Sequence, residues 1–376
     1  MGTPDTEGRR SAPQIDGILT NFFSSDAWID GRAQQQLRQV AAWNGVTKIA
    51  AFPDLHPGKY GPVGCAVQSD VIYPQLIGND IGCGMALFQL DLPLRKFKLE
   101  KAVRRLRALG DPPDTVEGAL LEQHGLATDM VPEALGTIGG GNHFCEVQTL
   151  SARETGCDLD PDLCYLLVHS GSRGLGAATL AALPETAFEG LRADCEVGAS
   201  YVRAHGQAVR WAALNRAMIA DRAARALRAD VRLLCDVPHN LLTQTLAGWL
   251  HRKGAAVAGG LVPVAGSRAS PSYLVKSLDP PAALGALAHG AGRRYDRASM
   301  HGRVGGKRSD LAAMTRTAFG GRVICEDRDL LIEEAPQAYK SARLVVDDLE
   351  LTGVARRVAT FNPLVTFKKT RLEAGT

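Results

Sequence analysis

No stretch of this 376-residue chain approaches the roughly 18 consecutive apolar residues of a membrane span, so a helical membrane protein is excluded. The opening residues, MGTPDTEGRRSAPQ, lack the apolar core of a secretory signal, and the expected compartment is the cytoplasm. Charge of one sign is also scarce. A net +3 is too small to announce nucleic-acid binding and leaves only basic residues gathered around a single cleft. The eight cysteines are scattered, without the close framework of a small secreted fold, so reduced thiols are expected, most of them buried. Internal repeats, heptads, low-complexity inserts and dividing linkers are absent. What remains is a polar arm over 1–14 followed by one mixed α+β domain over 15–376. Its 45% hydrophobic content is enough for a substantial core.

Strand-like pieces are predicted in TKIAAFPDLHPGK, GCAVQSDVIYP, MALFQLDLPL and CYLLVHSGSRG, each opening into a loop punctuated by Pro, Gly or Ser. LEKAVRRLRALG has helical periodicity, with Arg104, Arg105 and Arg107 as a solvated face. Residues 196–228 carry apolar side chains at spacings of three and four and predict the main helix. Beyond it, VRLLCDVPHNLL, GLVPVAGSRASPSYLVKSL, GALAHGAGRRYD, VICEDRDLLIEEAPQAYKS and VATFNPLVTFKK read mostly as strands separated by turns.

Against this background GNDIGCGM, residues 78–85, is unusual. Gly78, Gly82 and Gly84 surround Asp80 and Cys83, which suggests a backbone with special φ or close neighbours. A carboxylate and a thiol together suit a divalent Zn or Mn ion; the stretch also reads as a glycine-rich turn with a buried thiol. Nine histidines add to the first reading. Five of them, His56, His143, His169, His239 and His289, sit beside Gly, Asn or Pro at expected strand-to-loop junctions, where imidazoles from separate strands can converge on metal. The others, His124, His205, His251 and His301, are expected to be ordinary polar residues. Asp54 and Glu146 are further carboxylates available behind the ligands or toward a substrate.

Three loops, GTIGGGN, HSGSRG and HGAGRR, offer successive backbone N–H groups, with Arg173 and Arg293 beside them, and suit phosphate oxygens. None matches the G-x-x-x-x-G-K-[ST] phosphate loop.

In this order PDLHPGK, DIGCGM, GGGNHF, HSGSRG, PHN, GSRASPSY, HGAGR, EEAPQAYKS and a final lysine resemble the RtcB family of RNA ligases, over about residues 15–370. The resemblance implies an α+β domain with mixed and antiparallel sheets around a central cleft, flanked by helices. It implies a GTP-dependent, Mn²⁺-dependent ligase that joins an RNA 3′-phosphate or 2′,3′-cyclic phosphate to a 5′-hydroxyl, in RNA repair or tRNA splicing. Carried over by motif, Asp80, Cys83, His143, His169 and His239 would hold two Mn²⁺ ions, with Cys83 bridging. His289 would take GMP from GTP, and Asp54 would assist near the metals or the entering hydroxyl. Asn142, Glu146, Asn240, Ser267, Ser272, Gly292 and Lys368 would surround GTP, while Arg173 would hold an RNA phosphate. Any accessory or translation-related partner is left unnamed.

Three departures from the family pattern, Asn79, Arg268 in GSRA and Asp296 ahead of Arg297, spare the ligands but fall near nucleotide and RNA surfaces. Two other readings compete. DLH, GND and GNH echo the blocks of binuclear metallophosphoesterases, which would leave Cys83 and HGAGR without a role. A non-catalytic RNA-binding paralogue would be expected to lack a ligand, and every matching position is filled.

Overall fold

The computed structural model describes residues 13–113 and 118–370. The expected arm therefore lies almost wholly outside the described residues; its last member, Gln14, is already paired with Asn21.

Two large sheets dominate an α+β architecture. The first runs in the order Gln14–Asp16, Leu19–Asn21, Val46–His56, Val63–Ser69, Gly248–Lys253, Asn240–Thr245. The second runs Leu261–Val264, Ser272–Ser277, Ala355–Lys369, Phe144–Arg153, Leu163–Ser170, Gly84–Pro93, Val231–Pro238, with Arg322–Cys325 added parallel to Ala355–Lys369. Its two end strands approach one another, so this sheet curls toward a barrel. Most pairings are antiparallel. The pair Leu19–Asn21 with Val46–His56 is parallel, and a small antiparallel pair joins Ala255–Val257 to Ala286–Ala288.

The expected main helix is Glu196–Leu227. Ala208, Trp211, Ala212, Ile219, Ala220, Ala223 and Leu227 recur on its buried face, the stripe that a 3.6-residue period generates. Ile219, Ala220 and Ala223 pack on Ala86, Phe88, Leu166 and Val168 of the second sheet. Burying one such isoleucine contributes roughly 1.5–3 kcal/mol, which fixes the helix against the strands that carry the site. The chain leaves the helix through Arg228 in the left-handed region, at φ 60°.

VICEDRDLLIEEAPQAYKS departs from its strand-like reading. Only Arg322–Cys325 is a strand; Arg328–Glu333 is a helix. Asp327 caps that helix by accepting from Leu330 N at 3.0 Å, and Pro336 bars its continuation. Helices Gly31–Ala41 and Ala342–Leu351 were likewise not foreseen. Among the described residues no helix is long and apolar enough to cross a membrane, and all eight cysteines are free thiols.

Two of the histidines set aside as ordinary are buried acceptors: His205 Nε2 takes Leu242 N, and His251 Nε2 takes Tyr73 N, both at 2.9 Å. His124 and His301 are exposed.

Candidate active site

Strand register gathers the ligands. Phe144 lies opposite His169, and Gly84 lies opposite both Ser170 and Pro238, so four adjacent strands end at one edge. Their loops deliver His143, His169, Asp80 with Cys83, and His239. Cys83 Sγ is 3.3 Å from His143 Nε2 and 3.2 Å from His169 Nε2. His143 Nε2 is 3.2 Å from Asp80 Oδ2, and His169 Nε2 is 3.3 Å from His239 Nε2. The atoms form two triads, Asp80–Cys83–His143 and Cys83–His169–His239, with the sulfur common to both.

Two glycines make this convergence possible. Gly82 has φ +72°, and a Cβ there would fall 2.9 Å from Ala212 Cβ and Val209 Cα of the long helix. A Cβ on Gly171 would fall 2.1 Å from Asp80 Oδ1.

Burial and neighbouring imidazoles push His169 and His239 well below the usual histidine range, so both are neutral and ready to ligate. Burial works against ionised Asp80, yet the charge and hydrogen bond of His143 hold its carboxyl well below the usual range. Burial, followed by the Asp80 charge, pushes the Cys83 thiol far up. A bound cation would reverse that preference and favour the thiolate. One carboxylate, one thiol and three imidazoles, three donors to a triad with the remaining positions open, fit a pair of catalytic divalent ions.

Beside the cluster, the His289 ring centroid is 4.4 Å from that of His239. His289 Nδ1 lies 2.7 Å from Asp54 Oδ2, and its backbone N donates to the same oxygen at 3.1 Å. Asp54 is fully buried, and its Oδ1 has no partner. Lys340 Nζ grips the segment on both sides by donating to Pro53 O at 3.0 Å and Leu55 O at 2.6 Å.

Asp80, Cys83, His169, His239 and His289 open onto a cavity of about 390 Å³, within the size range of small-ligand sites. Asn142, Glu146, Asn240, Ser267, Gly292 and Lys368 are among the residues that line it. Ser272 stands behind the lining and accepts Gly266 N at 3.1 Å, which shapes the loop over 266–270. Asn240 lines the cavity but spends both polar ends on backbone, at Asp80 O and Gly254 N. Arg173 is not part of the cavity wall; its Nε donates to Thr137 Oγ1 at 2.9 Å. His56 lines the cavity outside both triads, its Nδ1 against Asp54 O at 2.8 Å. Of the departures, Arg268 is in the wall and donates to Leu331 O at 2.8 Å, Asp296 caps Arg297–Met300, and Asn79 is exposed elsewhere.

The Glu146 carboxyl, buried between Thr366 and Gln148, is raised by burial to about 7 despite hydrogen bonds from both. Glu334 behaves oppositely. Burial would raise it, but Lys368, Arg293 and Arg297 outweigh that and hold it at about 2.

Glu334 and Lys340 were read only as part of the EEAPQAYKS motif and given no role, and Asn215 and Arg216 were not singled out within the main helix. The last two sit mid-helix on the buried stripe. Arg216 Nη1 donates to Gly82 O at 2.8 Å and Ser170 O at 2.9 Å, while Nε and Nη2 hold Asp236 at 2.6 and 3.0 Å. Asn215 accepts Gly136 N at 2.8 Å and donates to Thr137 O and Ser170 Oγ, each at 3.1 Å. Adjacent residues on one helix thus tie down all four ligand-bearing segments. A charged residue at a core position of an amphipathic helix was the available signal.

A family profile described as "tRNA-splicing ligase RtcB" matches residues 36–118 and 115–369. The chain is 40% identical to the RNA-splicing ligase RtcB2 of Escherichia coli, the alignment covering 96% of this chain and 98% of that protein. It is 27% identical to the RNA-splicing ligase RtcB1 of the same organism, over 85% and 90% of the two chains. With the tRNA-splicing ligase RtcB of Methanococcus maripaludis it shares 25% identity over 93% of each.

Proposed function

From the premise that the chain belongs to the RtcB family, we propose that it is an RNA ligase acting in RNA repair or tRNA splicing. It would seal an RNA 3′-phosphate or 2′,3′-cyclic phosphate to a 5′-hydroxyl at the expense of GTP. The observation that carries this reading is His289, oriented by buried Asp54 at the wall of the cavity and beside the ligand cluster.

The Asp54 carboxylate accepts the Nδ1 proton, which fixes the tautomer and leaves the Nε2 lone pair as the nucleophile. Nε2 forms a bond to the α-phosphorus of GTP as the α–β phosphoanhydride P–O bond breaks and pyrophosphate departs. An RNA 3′-phosphate oxygen then attacks that phosphorus, GMP passes to the RNA, and the imidazole is restored. Attack of the 5′-hydroxyl on the activated 3′-phosphate expels GMP and closes the strand. Asp54 Oδ1, which has no hydrogen-bond partner among the described residues, would take the proton of the entering hydroxyl.

Asp80, Cys83, His143, His169 and His239 would hold two Mn²⁺ ions, which when bound supply Lewis-acid neutralisation of phosphoryl charge. Asn142, Glu146, Asn240, Ser267, Ser272, Gly292 and Lys368 would enclose the nucleotide, and Arg173 would meet an RNA phosphate. A phosphoesterase would leave Cys83 and the HGAGR loop without a role, and a binding-only paralogue would have no reason to keep every candidate ligand.

The test is incubation with α-labelled GTP and Mn²⁺ followed by denaturing separation, with His289→Ala in parallel. Label held covalently by the wild type alone is expected. Wild-type protein that binds Mn²⁺ and retains no label would overturn the mechanism.

A further inference from the structure

Just beyond the nucleophile loop the chain turns from the cavity to the surface. Arg293 points inward to Glu334 at 3.0 Å, whereas Arg294 points outward, its guanidinium carbon 5.5 Å from the ring centres of both Trp28 and Tyr295. Arg303 covers Tyr295 at 3.8 Å, and Lys340 Nζ lies 5.5 Å from the Trp28 ring centre. The result is an alternating ladder: Lys340, Trp28, Arg294, Tyr295, Arg303. Its inner rung, Lys340, is the same ammonium group that grips the backbone around Asp54.

Two features distinguish this ladder from ordinary surface decoration. Trp28 is 45% exposed, a large apolar ring left in solvent at the rim of the site. Among the described residues neither Arg294 nor Arg303 is within ion-pair distance of a carboxylate, because Asp30 serves Arg32 and Asp296 serves the Ser299 N–H. An exposed indole beside uncompensated guanidinium groups, one of them held over the partly buried Tyr295 ring, supplies the components of a single-strand platform, where a base stacks and phosphates find cations.

We propose that Trp28, Arg294, Tyr295 and Arg303 form a stacking platform for the single-stranded nucleotides that adjoin the RNA end being sealed. This rests on the ligase reading for the identity of the strand. A base stacks on Trp28, and Arg294 and Arg303, both held against the partly buried Tyr295 ring, meet the flanking phosphates. The platform is indifferent to sequence, since every base has a π-face.

The experiment titrates a short 3′-phosphorylated single-stranded RNA into the full protein without GTP, following both anisotropy of the labelled RNA and tryptophan emission. Trp28→Ala should raise Kd on the order of tenfold. Trp28→Phe keeps a stacking face, so it should stay within roughly threefold of wild type yet lose the RNA-induced quenching of emission. Arg294→Ala with Arg303→Ala should flatten the salt dependence of log K by about 0.7 for each phosphate no longer neutralised. Thermal melting of each variant checks its fold. Wild-type affinity in Trp28→Ala, or quenching that persists in Trp28→Phe, would overturn the platform. If GTP-dependent labelling of wild-type protein is present in either case, the ligase reading stands without it; wild-type protein that binds no RNA would overturn both.

Discussion

Replacing Arg216 with methionine keeps an unbranched side chain on the stripe and removes every donor that Arg216 itself gives to Gly82, Ser170 and Asp236, while Asn215 keeps its own. The guanidinium is 1% exposed, and four of its hydrogen bonds end on Gly82 O, Ser170 O and the two Asp236 oxygens. Breaking a buried ion pair by removing one partner costs about 3–5 kcal/mol; the Asp236 side chain is 20% exposed, so the lower half of that range applies. The two stranded carbonyls add about 1–3 kcal/mol each if water does not reach them. With water reaching both carbonyls the loss is about 3–4 kcal/mol, survivable within a typical stability of about 5–15 kcal/mol; with both left dry it rises to about 5–10 kcal/mol. The diagnostic quantity is the metal increment. A cation at 100 times its Kd adds about 2.7 kcal/mol to the wild type, and a hundredfold weaker site would add only about 0.4 kcal/mol. Urea unfolding with and without Mn²⁺ measures both quantities. Arg216→Met that is destabilised yet keeps the full Mn²⁺ increment would show that the arginine supports the fold alone, and the positioning argument would fail. Arg216→Lys, which offers a point charge instead of a fork, should fall between the two.

Three further outcomes are expected. Asp54→Asn no longer fixes the Nδ1–H tautomer of His289, and the labelling rate with GTP should drop by roughly 10²–10⁴; a rate within threefold of wild type would remove Asp54 from the mechanism. Cys83→Ala takes a donor from both triads, so equilibrium dialysis should find Mn²⁺ binding lost at both positions, not one. Glu146 supplies a pH signature. Its native carboxyl holds a proton up to about 7, against 4.5 in the unfolded chain, so its stability contribution declines as pH rises through that window. The full effect is about 3 kcal/mol, and Glu146→Gln should remove that part of the slope between pH 5 and 8 in urea midpoints.

The convergence of Asp80, Cys83, His143, His169 and His239 was legible because each stands in a short motif at a strand end, and register then brings those ends together without further instruction from the sequence. Asn215 and Arg216 were not legible in that way. Apart from the Asp236 carboxylate and Ser170 Oγ, their partners are backbone groups on segments spread from Gly82 to Gly171, and no local pattern encodes a carbonyl as a partner. Glu334 was hidden for a related reason. Its charge is matched by Arg293, Arg297, Tyr339 and Lys368, and three of those lie tens of residues away. Its neighbourhood also reads as strand, because the apolar run in RDLLIE outweighs the Asp327 cap. Arg268, noted as a departure at the nucleotide surface, is anchored to the helix that ends beside Glu334, a link only the folded chain reveals.

The shared sulfur also bears on chemical durability. Oxidants attack thiolates that are both ionised and reachable. Without a cation, Cys83 is 1% exposed and its proton is held tightly by burial and the Asp80 charge, so the thiol is inert. Loading cations would ionise it, but the same cations would then cover the sulfur from both triads. Ionisation and access would then not be offered together, so the same burial that gathers the donors would also protect the soft one from oxidants.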